Sequence, residues 1–280
     1  MKSFLLLALS ALSLGVAAQT DSTARTDSTR PKPQFKLSVN YLSSLHYYGR
    51  TDSVPGSGFF PMAEFWVTPN FYVNAAPIFV SNPGQAVQYA GSVSTIGYQK
   101  VTKKWIAAAY ALKPFYTEEA RLVQSALKAQ AGASFTRLRK GLNVTLGADV
   151  KFSSATDFGA TAGIDHLVRI RRGKNLFVID PSLTVNGGTQ QFSRTYTRKN
   201  EGNNSFPLPL PGNGGGSSST VTETARRFTL LSLEASVPLI FVRQHWMLLL
   251  TPAYVAPQNL LAGEYGKELL YVTAGVKYTF

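Results

Sequence analysis

The residues of this chain that could do chemistry are few and scattered. Its only histidines are His46, His166 and His245, and it contains no cysteine. Without thiols there is no disulfide, no thiolate metal site and no cysteine nucleophile. No cluster has metal-ligand spacing and no glycine-rich phosphate loop is present, so neither a metal nor a cofactor is expected. His46 with Asp52 in the following segment is the one candidate dyad, an imidazole to take a proton and a carboxylate to orient it. One histidine and one aspartate in a loop also meet by chance, and no catalytic residue is assigned. His245 abuts a basic turn and reads as an interfacial residue.

Charged and polar side chains are placed with far more regularity, at every second position. Leu142, Val144, Leu146, Ala148, Val150 and Phe152 alternate with Asn143, Thr145, Gly147, Asp149 and Lys151. Side chains alternate across a strand, so one face is apolar while the other carries a carboxylate and an ammonium. The pattern recurs, and with turn residues as breaks it marks about twelve strands, an even number as a single-chain barrel requires. They lie near 35–48, 58–68, 71–80, 86–101, 105–117, 121–136, 142–153, 158–171, 175–187, 226–241, 245–256 and 268–280. Charged residues make up only 15% of the chain, below the roughly 25% of a soluble domain. Beyond the N-terminus no apolar run reaches the roughly 20 residues of a spanning helix. An all-β fold, a transmembrane antiparallel up-and-down barrel with lipid on its outer face, accounts for both properties.

If the apolar set faces lipid, Lys36, Asn40, Glu64, Asn74, Lys128, Asp149, Lys151, Asp165, Arg169, Asp180, Glu234 and Lys277 face the lumen. Charges in a confined interior are costly unless paired. This set therefore either lines a narrow pore or pairs into a plug, and its mixed signs assign no ion selectivity.

The connections are of two kinds. Thr68–Asn70, Thr102–Lys104, Arg137–Gly141, Arg171–Lys174 and Val242–Gln244 are short; 49–57, 257–267 and above all 188–225 are long. Short periplasmic turns opposite longer extracellular loops are what an outer-membrane barrel shows. The short turns carry Lys103, Lys104, Arg137, Arg139, Lys140, Arg171, Arg172, Lys174 and Arg243 without an acid, whereas the long loops mix both signs. Basic groups beside a leaflet meet lipid phosphates, although short turns also simply tolerate them. Trp66, Trp105 and Trp246 all adjoin short turns and predict a periplasmic-interface girdle. Tyr47, Tyr48, Phe59 and Phe60 would belong to the opposite girdle.

The N-terminus supplies a route to the membrane. Lys2, an apolar stretch from Phe4 to Val16 and the small residues Ala17-Ala18 predict a signal peptide over 1–18, cleaved after Ala18. Residues 19–34 are polar and closed by prolines, and read as a disordered periplasmic lead-in to a barrel over 35–280. In loop 188–225, prolines 207, 209 and 211 precede a Gly/Ser tract, which favours an extended, flexible segment. The chain's formal charge is +13. For an exported protein, anionic lipid is the expected partner and nucleic acid is not.

The last strand, Leu269-Leu270-Tyr271-Val272-Thr273-Ala274-Gly275-Val276-Lys277-Tyr278-Thr279-Phe280, resembles the C-terminal signature of bacterial outer-membrane β-barrel proteins. The resemblance implies residence in the outer membrane of a Gram-negative bacterium. It also implies delivery by the barrel-assembly machinery, with Tyr278 and Phe280 as its assembly signal. Many porin-like and other small barrels share this ending, so it indicates route rather than activity. A barrel phospholipase would carry a serine two residues after its histidine, but Val168 follows His166 at that spacing. The expectation is a non-enzymatic, porin-like narrow channel or structural barrel. A rim enzyme near His46 and a soluble secreted barrel binding a lipid-like ligand are the alternatives.

Overall fold

The computed structural model describes residues 33–51, 56–83, 86–117, 127–153, 156–199, 218–261 and 264–280. The expected signal peptide lies outside them, as does nearly all of the lead-in, whose last residue, Gln34, already opens the first strand. Strands β1 (Gln34–Leu42), β2 (Ser57–Trp66), β3 (Phe71–Ser81), β4 (Gln88–Val101), β5 (Trp105–Tyr116), β6 (Ala129–Arg137) and β7 (Asn143–Phe152) pair in succession, each antiparallel to the next. After them come β8 (Thr156–Asp165), β9 (Val168–Arg172), β10 (Asn175–Ile179) and β11 (Ser182–Lys199). The chain ends with β12 (Ser218–Ser236), β13 (Leu239–Arg243), β14 (Trp246–Pro257) and β15 (Leu269–Thr279). β8 with β9, β10 with β11, and β12 with β13 are each one traversal broken by a kink. The segments therefore make twelve traversals. β15 pairs with β1, Lys36 opposite Thr279 and Leu42 opposite Thr273, and β12 pairs with β14, which closes an antiparallel barrel.

Prolines 181 and 238 lie in two of the kinks, and the third, between β8 and β9, faces Pro181. Proline has no N–H to give a ladder, so it interrupts a strand or sits where pairing lapses. Along this fold line proline carbonyls accept hydrogen bonds from the neighbouring strands. His166 donates to Pro181, Asp180 to Pro238 and Val237 to Pro252, each through its backbone N–H at 3.0 Å. The interruptions line up across neighbouring strands and set apart a flap of β9, β10, β13 and the start of β14 at the short-turn end. The sequence pattern runs straight through these positions, because Pro181 and Pro238 do not disturb the alternation on either side.

Alternation gives the wall an apolar outside. On β1, Phe35, Leu37, Val39 and Tyr41 are exposed, while Lys36, Ser38, Asn40 and Leu42 between them are buried. Ile96 and Tyr98 on β4, and Val144 and Leu146 on β7, continue the outer belt. Such a continuous apolar band exceeds what a soluble protein leaves in water. A charge placed on it should cost about 2–4 kcal/mol at mid-height and about 0–1 near a rim. Ile96→Arg is therefore expected to destabilise the barrel far more than Val67→Arg. Urea titrations in lipid vesicles check this; equal losses at the two depths would remove the lipid from the account.

Two connections differ from the sequence expectation. Most of 188–225 is paired: β11 and β12 run together from Ser182 opposite Ser236 to Lys199 opposite Ser218, leaving 200–217 outside the described residues. Threonine and valine favour the extended chain there, but the polar run of the sequence leaves no two-fold pattern to read. The first strand ends at Leu42 rather than near 48, and the segment after it turns into the barrel.

Candidate functional site

At the short-turn end the lumen carries a buried network. Lys36 and Glu64 are register partners on β1 and β2, and Lys277 comes from β15 on the other side of β1. Glu64 Oε1 lies 3.5 Å from Lys277 Nζ and 3.8 Å from Lys36 Nζ. It also accepts the Trp66 indole N–H at 2.8 Å, and the Lys36 ammonium sits 4.6 Å above the Trp66 ring. Trp66 is thus a lumen residue packed on Tyr72, not part of the outer girdle. It shares the phase of Glu64, and phase rather than proximity to a turn decides its side.

The other expected lumen residues spread around the wall. Asp149 and Lys151 form an ion pair along β7. Asp165 accepts from Asn143 Nδ2 at 2.7 Å, and Glu234 accepts from the Tyr271 hydroxyl at 2.8 Å. Asp165 and Asp180 are half-buried near the turn-end opening, where Arg169, opposite Val178 on the flap, is exposed. Asn40 is buried and Asn74 partly so. Lys128 is exposed, and Leu127 takes the buried place instead. It lies just before β6, where the strand's alternation has not yet begun. Buried Asn74 Oδ1 and Gln130 Oε1 have no hydrogen-bond partner among the described residues.

Towards the long-loop end the inward side chains of β1–β5 and β14 become apolar. Leu42, Phe60, Ile78, Val93, Leu112 and Val255 pack into one cluster with Leu45 from the first loop. Phe60 is therefore inside, while Phe59 keeps its outward place.

Above this cluster the first loop folds into the barrel. Tyr47 and Arg50 exchange backbone hydrogen bonds of 2.8 and 3.0 Å around Tyr48 and Gly49, whose φ angles are +54° and +77°. Positive φ at both central residues defines a two-residue hairpin turn, and glycine removes the steric cost at one of them. The turn lies against the wall, since a Cβ on Gly49 would stand 2.8 Å from Pro257 Cδ. Tyr48 and Arg50 are only 2% and 3% exposed, so the hairpin is enclosed rather than draped over the rim. The Tyr47 ring lies 5.9 Å from Lys151 Nζ, and the His46 ring meets Tyr271 at 4.4 Å. Arg50 is the clamp. Its guanidinium donates to the carbonyls of Leu231 at 2.9 Å and Gln258 at 2.8 Å, and pairs with Glu264 at 3.2 Å. Tyr47 and Tyr48 thus lie inside the barrel instead of joining an outer girdle. The sequence carries only a weak sign of this, two tyrosines, a glycine and an arginine in succession within a polar loop.

Burial lowers the ionisation of His46 from 6.5 to about 4 and pushes the Tyr47 and Tyr48 hydroxyls up. The groups facing His46 are the Gly49 N–H, which donates to its Nδ1 at 3.2 Å, and the Tyr271 ring, whose hydroxyl is held by Glu234. A released loop binds a proton near pH 6.5, whereas the seated loop resists it down to about 4. Seating is therefore fully favourable above pH 6.5 and weakens as the pH falls towards 4, by about 3 kcal/mol in total. Proteolysis of the loop should accelerate across that window in the wild type and lose this dependence in His46→Gln. A flat wild-type profile would show that His46 does not couple to the loop.

No carboxylate is hydrogen-bonded to His46 among the described residues, and Asp52 lies outside them. His166 and His245 are exposed at the turn end, and His245 Nδ1 lies 2.8 Å from the Thr279 carbonyl. Trp105 stacks on outward Phe135 at 6.0 Å and exposed Trp246 meets Tyr278 at 4.8 Å. Phe280 extends this outer row, 4.8 Å from Tyr278 and 5.6 Å from Phe35.

No protein-family model and no curated protein sequence matches the chain. Similar solved structures include the KdgM porin, at 10% identity over 88% of this chain and 99% of that one, with a TM-score of 0.46. An outer membrane channel from Pseudomonas putida F1 is similar at 12% identity over 90% and 97%, with a TM-score of 0.46. The NanC porin is similar at 8% identity over 87% and 98%, with a TM-score of 0.43.

Proposed function

We propose that this chain is an integral, non-enzymatic protein of a Gram-negative outer membrane, a porin-like barrel whose narrow conduit is held shut by its first loop. The observation that carries the reading is the seated hairpin. A barrel built only as a solid strut needs no segment inserted from its rim; its own wall side chains could fill it. Here the mouth is stopped by a segment pinned largely through one arginine, over a polar lower lumen in which buried Asn74 Oδ1 has no hydrogen-bond partner among the described residues. Sealing such an acceptor away from water permanently would cost about 1–3 kcal/mol. The apolar outer belt argues against the soluble lipid-binding alternative, and the engagement of His46 with the loop argues against a rim enzyme.

In this reading the basic turns lie in the periplasm beside phospholipid, and the loops lie outside the cell. Tyr278 and Phe280 serve the barrel-assembly machinery. The apolar cluster beneath the hairpin favours a second reading, a permanently sealed structural barrel. Solute uptake into vesicles separates the two. Replacing residues 46–50 by a short Gly-Ser link should admit small sugars that the wild type excludes. Exclusion by both forms, each verified as folded, would favour the sealed barrel.

A further inference from the structure

The flap's outer face is concave. A groove of about 580 Å³ is lined there by the outward side chains of Ile170, Phe177, Phe241 and Leu248, with Ile179 and Leu250 in the row above. The register makes these two neighbouring apolar rows: Phe177 lies opposite both Ile170 and Phe241, and Phe241 opposite Leu248. Convex barrel walls bend away from lipid, so a hollow in the apolar belt can receive part of a single lipid chain.

One step closer to the turn end, the same strands present a polar row. Arg172 lies opposite Asn175, Asn175 opposite Arg243, and Arg243 opposite Trp246. Both arginines are exposed, and neither is paired with a carboxylate among the described residues. Arg172 also lines the groove, so the cationic row and the apolar hollow are continuous. Two guanidiniums flanking an amide offer forked donors suited to phosphate oxygens. The exposed Trp246 indole closes the row at the level where amphipathic rings favour a membrane interface.

We infer that this face binds one anionic glycerophospholipid, its phosphate on Arg172, Asn175 and Arg243 and an acyl chain in the groove above them. The inference rests on the membrane-spanning reading. It commits to a phospholipid because the row stands at the short-turn rim, the side proposed to face the periplasmic leaflet.

Native mass spectrometry of the detergent-purified full chain, titrated with phosphatidylglycerol or phosphatidylcholine, tests the site. The wild type should bind one phosphatidylglycerol at least roughly tenfold more tightly than phosphatidylcholine, since charge-assisted hydrogen bonds distinguish them. Arg172→Gln/Arg243→Gln should abolish that preference, whereas Lys103→Gln/Lys104→Gln at another basic turn should leave it intact. Ile170→Trp, which fills the hollow and spares the arginines, should weaken binding of both lipids. Equal binding of the two lipids by the wild type, or an unchanged preference in the double arginine variant, overturns the site. Vesicle insertion is measured on the same preparations. Normal insertion without lipid preference sinks the site alone, while failure of the wild type to insert sinks the membrane reading with it.

Discussion

Glu64→Gln should cost the barrel about 3–5 kcal/mol, because it leaves two buried ammonium groups without their shared counter-charge. Lys36 and Lys277 have side chains only 7% and 8% exposed, and Glu64 lies within 4 Å of both. Glutamine preserves the shape and can still accept the Trp66 N–H, so the loss isolates the charge. Water reaching the lumen would reduce it. The companion variant Lys36→Met/Glu64→Leu/Lys277→Met removes the whole network and should recover most of the stability, since apolar replacement of a complete buried ion cluster is often neutral. Unfolding in urea, followed by tryptophan fluorescence and loss of heat-modifiable gel migration, reads both effects. A Glu64→Gln barrel within about 1 kcal/mol of wild type would mean that the lysines are already neutralised or solvated, contrary to the network drawn here.

The second large effect is expected from Arg50→Ala. The guanidinium joins the hairpin to β12 through Leu231, to Gln258 and to Glu264, and hydrogen bonds to charged groups contribute about 1.5–3 kcal/mol each. Losing them together should raise the population of the released loop by roughly a hundredfold or more. In planar bilayers that appears as frequent openings where the wild type is almost silent. Arg50→Lys, which keeps the charge and loses the fork, should lie between the two. The folded barrel should survive, because Arg50 belongs to no strand of the wall. An Arg50→Ala channel as silent as wild type would place the barrier in the apolar cluster beneath the loop.

How far the sequence reaches depends on how much of the structure obeys a two-residue period. The walls do, and so the twelve traversals, the outward Ile96 and Leu146 and the inward Lys36, Asp149 and Lys277 are legible from alternation alone. Trp66 is misplaced only when its nearness to a turn is weighed above its phase with Glu64. Lys128 fails for a related reason: the period holds within a strand, not across the residue that enters it. Prolines 181, 238 and 252 sit inside a sound alternation, and their alignment into one fold line depends on register between strands, which no single segment records. The extensions of β11 and β12 over 188–199 and 218–225 are polar in sequence and carry no hydrophobic period. The plug is hardest to foresee. Arg50 finds Leu231, Gln258 and Glu264 only after the barrel has closed, and a Tyr-Tyr-Gly-Arg segment in a loop looks equally suited to solvent.

Closure by the first loop is tested most directly by tying that loop down. Arg50 and Gly266 face each other across an antiparallel bridge, and the Thr51 N–H reaches the Tyr265 carbonyl at 3.0 Å. Residues opposed in this way have the separation a disulfide needs. The chain has no cysteine of its own, so Thr51→Cys/Tyr265→Cys introduces one bond without competitors. Single-channel conductance of this variant, recorded near pH 4 before and after reduction, is the measurement. Silence is expected while the disulfide holds the hairpin to the 258–268 connection, and openings once it is reduced. Equal conductance in the two states, with the bond verified by mass, would contradict closure by the loop.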